Sequence, residues 1–229
     1  MQPTPIALDG PAGSGKSTFG AVLARRLDFS LLDIGVVYRL VALTTLRHGG
    51  DVHDPHTVEQ AAIEVLSDLE LQRQNGETKL VLAGETVDVA SLHAREVNAA
   101  VPLVARHEVA RERVRALQRA VASRGPAILV GRDIGTVVLP DADLKLYLDV
   151  SLEVRAARRR WSLNADDPRT EADIAAELAE RDRLDAERHH SPMRIPPDAV
   201  VFTSEGLSVE ESVDIVLEMC GLGATNSAA

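Results

Sequence analysis

The chain has 229 residues, of which 45% are hydrophobic, 26% charged and 3% aromatic, values that exclude a disordered chain and allow one sizeable core with one or two small attachments. A formal charge of −10 argues against nonspecific nucleic-acid binding by the whole surface, and one cysteine, Cys220, excludes an internal disulfide and a cysteine-based metal site. Lys occurs only at Lys16, Lys79 and Lys145, so the cations are almost all Arg, whose planar fork suits phosphate and carboxylate.

In chain order, Ile6-Ala-Leu-Asp9 reads as a short buried strand, followed by a Gly-rich turn and a helix from about Lys16 to Leu27. Phe29 to Asp33 reads as a second strand and Val36 to Arg47 as a second helix, with Gly35 as the turn between them and Gly49-Gly50 as the stop. Leu69 to Val87 alternates polar and apolar residues around Asn75-Gly76, which predicts a hairpin in a β insert on the acceptor side. Strands resume at Pro126–Val130, Leu144–Leu148 and Ala199–Phe202, and Ser208 with Glu211 predicts a capping box for a last helix over about Val209 to Cys220. Trp161 to Thr170 is polar and turn-rich between two Arg-bearing helices and reads as a short mobile lid.

The strand–helix alternation predicts an α/β fold with a doubly wound parallel sheet, carrying a small β-containing insert and a short lid. The expected organisation is a single domain over 1–229, with an acceptor insert at 40–103, a lid at 156–172 and a disordered tail at 222–229. No basic leader and no apolar run of membrane-spanning length is visible, so a cytoplasmic protein that binds neither membrane nor nucleic acid is expected.

Gly10-Pro-Ala-Gly-Ser-Gly-Lys-Ser17 fits G-x-x-x-x-G-K-[ST] between a strand and a helix. Gly10, Gly13, Ser14, Gly15, Lys16, Ser17 and Thr18 are therefore the candidate nucleotide-binding residues. Lys16 is expected at the β- and γ-phosphates of ATP and the Ser17 hydroxyl on Mg²⁺. A switch or motor nucleotidase is the competing class, but no Asn-Lys-x-Asp stretch is present. A small-molecule kinase needs cations around an anionic acceptor, and the Arg pattern supplies them. Arg39 lies at the start of the second helix and Arg132-Asp133 just beyond a strand end, where open α/β sheets bind ligands. Arg155, Arg158 and Arg159 share a helix face beside the lid, and Arg181, Asp185 and Arg188 are spaced to share another.

LDGPAGSGKST, LDIGVVYR, GRDIGTVVLPDA and RDRLDAER, in this order and spacing, resemble the bacterial cytidylate kinase family over about residues 5 to 220. The resemblance implies ATP- and Mg²⁺-dependent phosphorylation of CMP or dCMP by a monomer. It implies that Arg39 and Arg132 grip the acceptor phosphate, with Tyr38 beside Arg39, and that Arg111 and Asp133 read the cytosine edge. Asp185 with Arg181 would order the sugar, Arg188 would reach a phosphate, and Arg158 and Arg159 would close over the transferring phosphoryl. Lys16, Arg132, Arg158 and Arg159 are thus the expected catalytic cations. The chain departs from the family pattern at Ile34 and Val101, where base-side hydroxyls are usual, at Val130, where an acidic residue is common, and at Thr203-Ser204. These departures open the expectation of a modified cytidine monophosphate as acceptor, or of loosened base selection. A P-loop kinase of another small metabolite and a noncatalytic nucleotide-binding regulator stay open beside it.

Overall fold

The computed structural model describes residues 4–74, 77–163 and 166–222. Five parallel strands form the central sheet in the order β2-β6-β1-β7-β8. They are β1 (Ile6–Asp9), β2 (Ser30–Asp33), β6 (Ala127–Val130), β7 (Leu144–Leu148) and β8 (Val200–Phe202). A parallel sheet is covered on both faces, so its central strands are apolar throughout rather than alternating, and every residue of β1 and of β6 is buried. The faces still divide with a period of two. Ala7 and Leu129 join the cluster under the acceptor side, whereas Ile6, Leu8, Ile128 and Val130 join the cluster under the first and last helices.

Helix α1 (Lys16–Leu27) leaves β1 through the Gly-rich loop, and α2 (Ile34–Arg47) follows β2 without a connecting loop. The second helix therefore starts at Ile34, not Val36, and Gly35 lies inside its first turn rather than between strand and helix. The Asp33 carboxylate caps the helix by accepting from the Gly35 amide at 2.9 Å, which draws the helix start back to the strand end. A Cβ on Gly35 would lie 3.1 Å from Asp33 Oδ1 and 3.2 Å from Arg39 Nη1, so the residue is small because two functional side chains crowd it.

Between β2 and β6 come α3 (Pro55–Asp68), an antiparallel sheet of β3 (Leu69–Gln74), β4 (Glu77–Leu82) and β5 (Glu85–Thr86), then α4 (Arg95–Val104) and α5 (Glu108–Ser123). Strands β3 and β4 pair as the alternation predicts, from Leu69↔Leu82 to Gln74↔Glu77; Asn75-Gly76 lies outside the described residues. The Leu31 amide donates to Thr78 Oγ1 at 2.9 Å, and Arg73 donates to the Asp28 carbonyl and carboxylate, both at 2.5 Å. Asp28 caps the C-terminal end of α1, so this small sheet braces the end of α1 opposite its phosphate-facing start. Within the expected insert, candidate site residues lie on α4 and not on the strands, while those of α2, Ile34, Tyr38 and Arg39, precede it.

Helices α6 (Leu152–Trp161) and α7 (Glu171–Ala186) flank the expected lid, and α8 (Val209–Met219) closes the fold. The Ser208–Glu211 capping box is present, and Thr170 with Asp173 forms a second at the start of α7. Residues 164–165 of the expected lid and 223–229 of the expected tail lie outside the described residues. No described helix is long and apolar enough to cross a membrane.

Candidate active site

The site lies where β1, β6, β2 and β7 end. Strand β1 is central: after it the chain runs to β2 at one edge, and after β6 it crosses to β7 on the other side of β1, which opens a crevice at the carboxyl ends of the strands. The loop from Gly10 reaches α1 through Gly13 and Gly15, whose φ angles of +75° and +90° favour glycine. No side chain caps α1, so its first amides are free for an anion. Ser17 and Thr18 are exposed on that turn, whereas Ser14 and Lys16 are buried. Lys16 Nζ donates to the Pro11 carbonyl at 2.5 Å and to Ser14 Oγ at 3.0 Å. Burial, reinforced by the Arg132 guanidinium, pushes the Lys16 ammonium well below its ordinary pKa.

Ser17 Oγ donates to Asp33 Oδ2, which joins the phosphate loop to the end of β2. A hydroxyl and a carboxylate in contact at a helix N-terminus are hard oxygen donors of the kind Mg²⁺ takes, so the residues present fit that ion. Among the described residues no group of three or more His, Cys, Asp and Glu could hold a metal. Asp33 was absent from the sequence-derived candidates; its signal was an acidic residue closing the strand before a helix.

Across the crevice from the loop, cations gather around one carboxylate, where the acceptor is expected. Asp185 on α7 is 2% exposed and accepts from Arg132 Nε at 3.1 Å and from Arg188 Nη2. Burial alone would raise the Asp185 carboxyl; the Arg132, Arg188 and Arg181 guanidiniums outweigh it and hold the pKa below the ordinary value. Because α7 ends at Ala186, Arg188 is not on the Arg181–Asp185 helix face as its spacing suggested but folds back onto Asp185 from beyond the helix. Burial and Arg132 push the Arg181 guanidinium down to about 10. Arg39 Nη1 donates to the Gly35 carbonyl at 2.9 Å and Nη2 to Asn98 Oδ1 on α4 at 3.4 Å, while its buried Nε has no partner.

Arg111 and Asp133 form a buried pair, Nη2 to Oδ2 at 2.6 Å, with side chains only 5% and 8% exposed. Arg111 Nη1 donates to the Ala105 carbonyl at 3.1 Å and Nε has no partner. Tyr38 is buried beside them, and burial raises its phenol. The turn carrying Arg132 and Asp133 is held by Asp9, at the end of β1, whose two oxygens accept from the Ile134 and Gly135 amides at 2.9 and 2.7 Å. Burial pushes the Asp9 carboxyl up to about 6 against the pull of those amides.

Ile34 and Val101 pack in one apolar cluster with Tyr38 and Ile134, and Ile34 lies under the turn, 3.2 Å from where a Gly131 Cβ would be. Val130 is elsewhere: it is 1% exposed in the opposite cluster against Gly20, so its apolar character serves the core and not the crevice. On α6, Arg158 donates to Ser204 Oγ at 3.0 Å and to the Ser204 carbonyl at 2.5 Å, with Nη1 about as far from the phosphate loop as 4.0 Å from a Cβ on Gly15. Arg159 is half-buried and forms no ion pair among the described residues. Arg155 instead points into the protein, to Asp182 and the Ala12 backbone.

The cytidylate kinase family profile matches residues 6–221. A cytidylate kinase of Geobacillus kaustophilus (strain HTA426) is 40% identical over 218 residues, spanning 93% of this chain and 95% of that protein. One of Pelotomaculum thermopropionicum (strain DSM 13744 / JCM 10971 / SI) is 39% identical over 95% of this chain and 96% of its own length. Among solved structures, a shikimate kinase from Bacteroides thetaiotaomicron superposes with a TM-score of 0.50 at 16% identity, covering 96% of this chain and 100% of that one, a likeness of fold alone. With the match running end to end on a crevice that holds a phosphate loop opposite a cluster of arginines, this chain belongs to the cytidylate kinase family.

Proposed function

We propose that the chain transfers the γ-phosphoryl group of ATP to CMP or dCMP, releasing ADP and the cytidine diphosphate. The observation that carries this reading is the buried Arg111–Asp133 pair at the wall of a crevice lined by Lys16, Arg39, Arg132 and Arg181. A carboxylate accepts from the cytosine N4 amino group and a guanidinium donates to the ring acceptors, which together select cytosine. The family relation disfavours the alternatives of a different metabolite or a noncatalytic regulator.

Positioning and charge neutralisation supply the catalysis, because the acceptor phosphate is already an anion and needs no general base. The loop amides and Lys16 hold the donor's β- and γ-phosphates, with Gly10, Gly13, Ser14, Gly15 and Thr18 shaping the cradle. Ser17 and Asp33 would hold Mg²⁺, which when bound neutralises charge on the phosphates. Arg39 and Arg132 orient the acceptor phosphate in line, and Asp185 keeps Arg132 and Arg188 aimed at it while Arg181 faces the sugar. Arg158 and Arg159 approach from α6 and meet the charge that develops on the transferred group. The span 156–172 acts as the lid, 40–103 together with the start of α2 just before it as the acceptor-binding part, and one chain suffices for both halves.

A second reading has its own observation: Ile34 and Val101, buried with Tyr38 in one apolar cluster, offer no hydroxyl on the base side. An apolar wall rejects analogues weakly, so the acceptor would be a modified cytidine monophosphate or base selection would be loose. Measuring kcat/KM with CMP, dCMP, UMP, AMP and 5-substituted CMP decides between them. The expected result is preference for CMP and dCMP over UMP by about 5- to 100-fold, the discrimination of one good bidentate base contact. Preference for the 5-substituted substrate would establish the second reading, and no turnover with any cytidine monophosphate would remove both.

A further inference from the structure

Asp182 and Arg155 are absorbed by neither the donor cradle nor the acceptor cations, yet they meet at one residue of the phosphate loop. The Ala12 amide donates to Asp182 Oδ1 at 2.8 Å, and the Ala12 carbonyl accepts from Arg155 Nη1 at 2.8 Å. The ring closes between the two side chains, Arg155 Nη1 to Asp182 Oδ2 at 2.6 Å, with only 8% and 17% of them exposed. Arg155 Nε also donates to the Val150 carbonyl at 2.9 Å, which ties the guanidinium to the end of β7. Next in the loop, a Cβ on Gly13 would sit 3.4 Å from Leu178 Cδ2 and 3.7 Å from Arg155 Cβ. Leu178 and Asp182 are four residues apart on α7, so one face of that helix rests on the loop. The adjoining face carries Arg181 and Asp185, the acceptor-side residues.

We infer that Asp182 and Arg155 are positioning residues for the donor half of the reaction: they fix the amide and the carbonyl of Ala12, which belong to two successive peptide groups, and so set the phosphate loop against α6 and α7. Fixing Ala12 from outside leaves the amides at the start of α1, which no side chain caps, turned to the phosphates before ATP arrives. Preorganisation of this kind lowers the ordering cost of binding. Removing Asp182 leaves the Ala12 amide and the buried Arg155 charge without their partner, and the loop has to be ordered by ATP itself. CMP binds arginines that the clamp does not touch.

The inference rests on the kinase reading for its turnover test but not for its binding test. Asp182→Ala is expected to weaken ATP binding by about tenfold, measured by calorimetry without acceptor, the equivalent of one lost charge-assisted hydrogen bond. KM for ATP should rise in parallel while KM for CMP stays within about threefold, a range below the effect of one such bond. Asp182→Asn keeps an oxygen for the Ala12 amide but loses the ion pair, so it should fall between wild type and Asp182→Ala. Equal weakening of ATP and CMP, or unchanged ATP affinity in both variants, overturns the inference. If thermal melting shows Asp182→Ala unfolded, Asp182→Asn and Arg155→Lys decide by the same requirement of an ATP-only loss. A wild-type chain that binds ATP but phosphorylates no cytidine monophosphate defeats the kinase reading alone, and the affinity comparison still decides the role of the clamp.

Discussion

The contrast between Lys16 and the Arg111–Asp133 pair shows how differently two buried charges act. Lys16 is buried without a carboxylate partner among its hydrogen bonds, which go to Pro11 and Ser14, so the protein holds its charge poorly and a bound phosphate holds it well. Lys16→Ala should therefore cost turnover, about 10²–10³-fold in kcat by the measure of other preorganised donors, with little change in thermal midpoint; a variant with near wild-type kcat would remove Lys16 from the chemistry. The pair is structural as well as functional. Asp133→Ala leaves Arg111 uncompensated and should destabilise the fold by about 3–5 kcal/mol, and it should harm CMP use more than ATP binding. Replacing both residues by leucine should recover much of the stability and none of the acceptor recognition, and recovered recognition would show that the base is read elsewhere. The cations of the site were legible because their motifs are local and their positions follow strand ends. Asp9 and Asp182 were not, because their partners lie 125 and 170 residues away in the chain. Only the folded sheet brings β1 against the Ile134 turn, and no spacing rule reaches that far.

Elements were legible where burial leaves a periodic trace. The strand Ile6–Asp9 ends at Gly10, the strand Leu144–Leu148 ends with its apolar run before Asp149, and the helix Lys16–Leu27 begins directly after Gly15. The start of α2 was displaced by two residues because the cap is Asp33, a strand residue, and a cap shared with a strand end has no sequence signature of its own. The small sheet was legible as a hairpin but not as a brace, since its pairing residues say nothing of what the outer face meets. That brace is testable. Thr78 supplies the only hydrogen-bond partner of the partly buried Leu31 amide among the described residues, so Thr78→Val should cost about 1–3 kcal/mol by leaving a donor unpaired. Arg73 reaches a carboxylate that is 87% exposed, so Arg73→Ala should cost about 0–1 kcal/mol. Urea midpoints of the two variants give the order directly, and an Arg73→Ala loss as large as that of Thr78→Val would mean the charge, not the amide, holds the sheet. Neither variant should change KM for ATP, because the contact lies at the end of α1 away from the phosphates.

Over the whole molecule, Asp9 joins the two halves of the site, for the strand that feeds the phosphate loop ends in the carboxylate that holds the Arg132–Asp133 turn. Its charge is buried at the centre of the sheet and lies near Asp133 as well as Lys16. The folded protein therefore takes up a proton at Asp9 near pH 6, whereas the unfolded chain does so near 3.8. Between those values the folded state binds more protons than the unfolded state, and linkage makes stability fall as pH rises through the window, by about 3 kcal/mol for a shift of this size. Asp185 works in the other direction and lower down: its pKa is held below 3.8, so its contribution is present above that value and lost as pH falls through the folded one. Other groups titrate too, so the wild-type curve alone does not isolate Asp9, but the difference between wild type and Asp9→Asn does. Asparagine keeps the shape, cannot ionise, and sets an amide donor against one of the two backbone donors, which adds a pH-independent cost of about 1–3 kcal/mol. The expected result from urea unfolding between pH 4 and 7 is a gap between wild type and Asp9→Asn that narrows as pH rises. A gap constant across that range would show that Asp9 is ionised in the fold throughout, held by its two amides and Lys16 more strongly than burial opposes it.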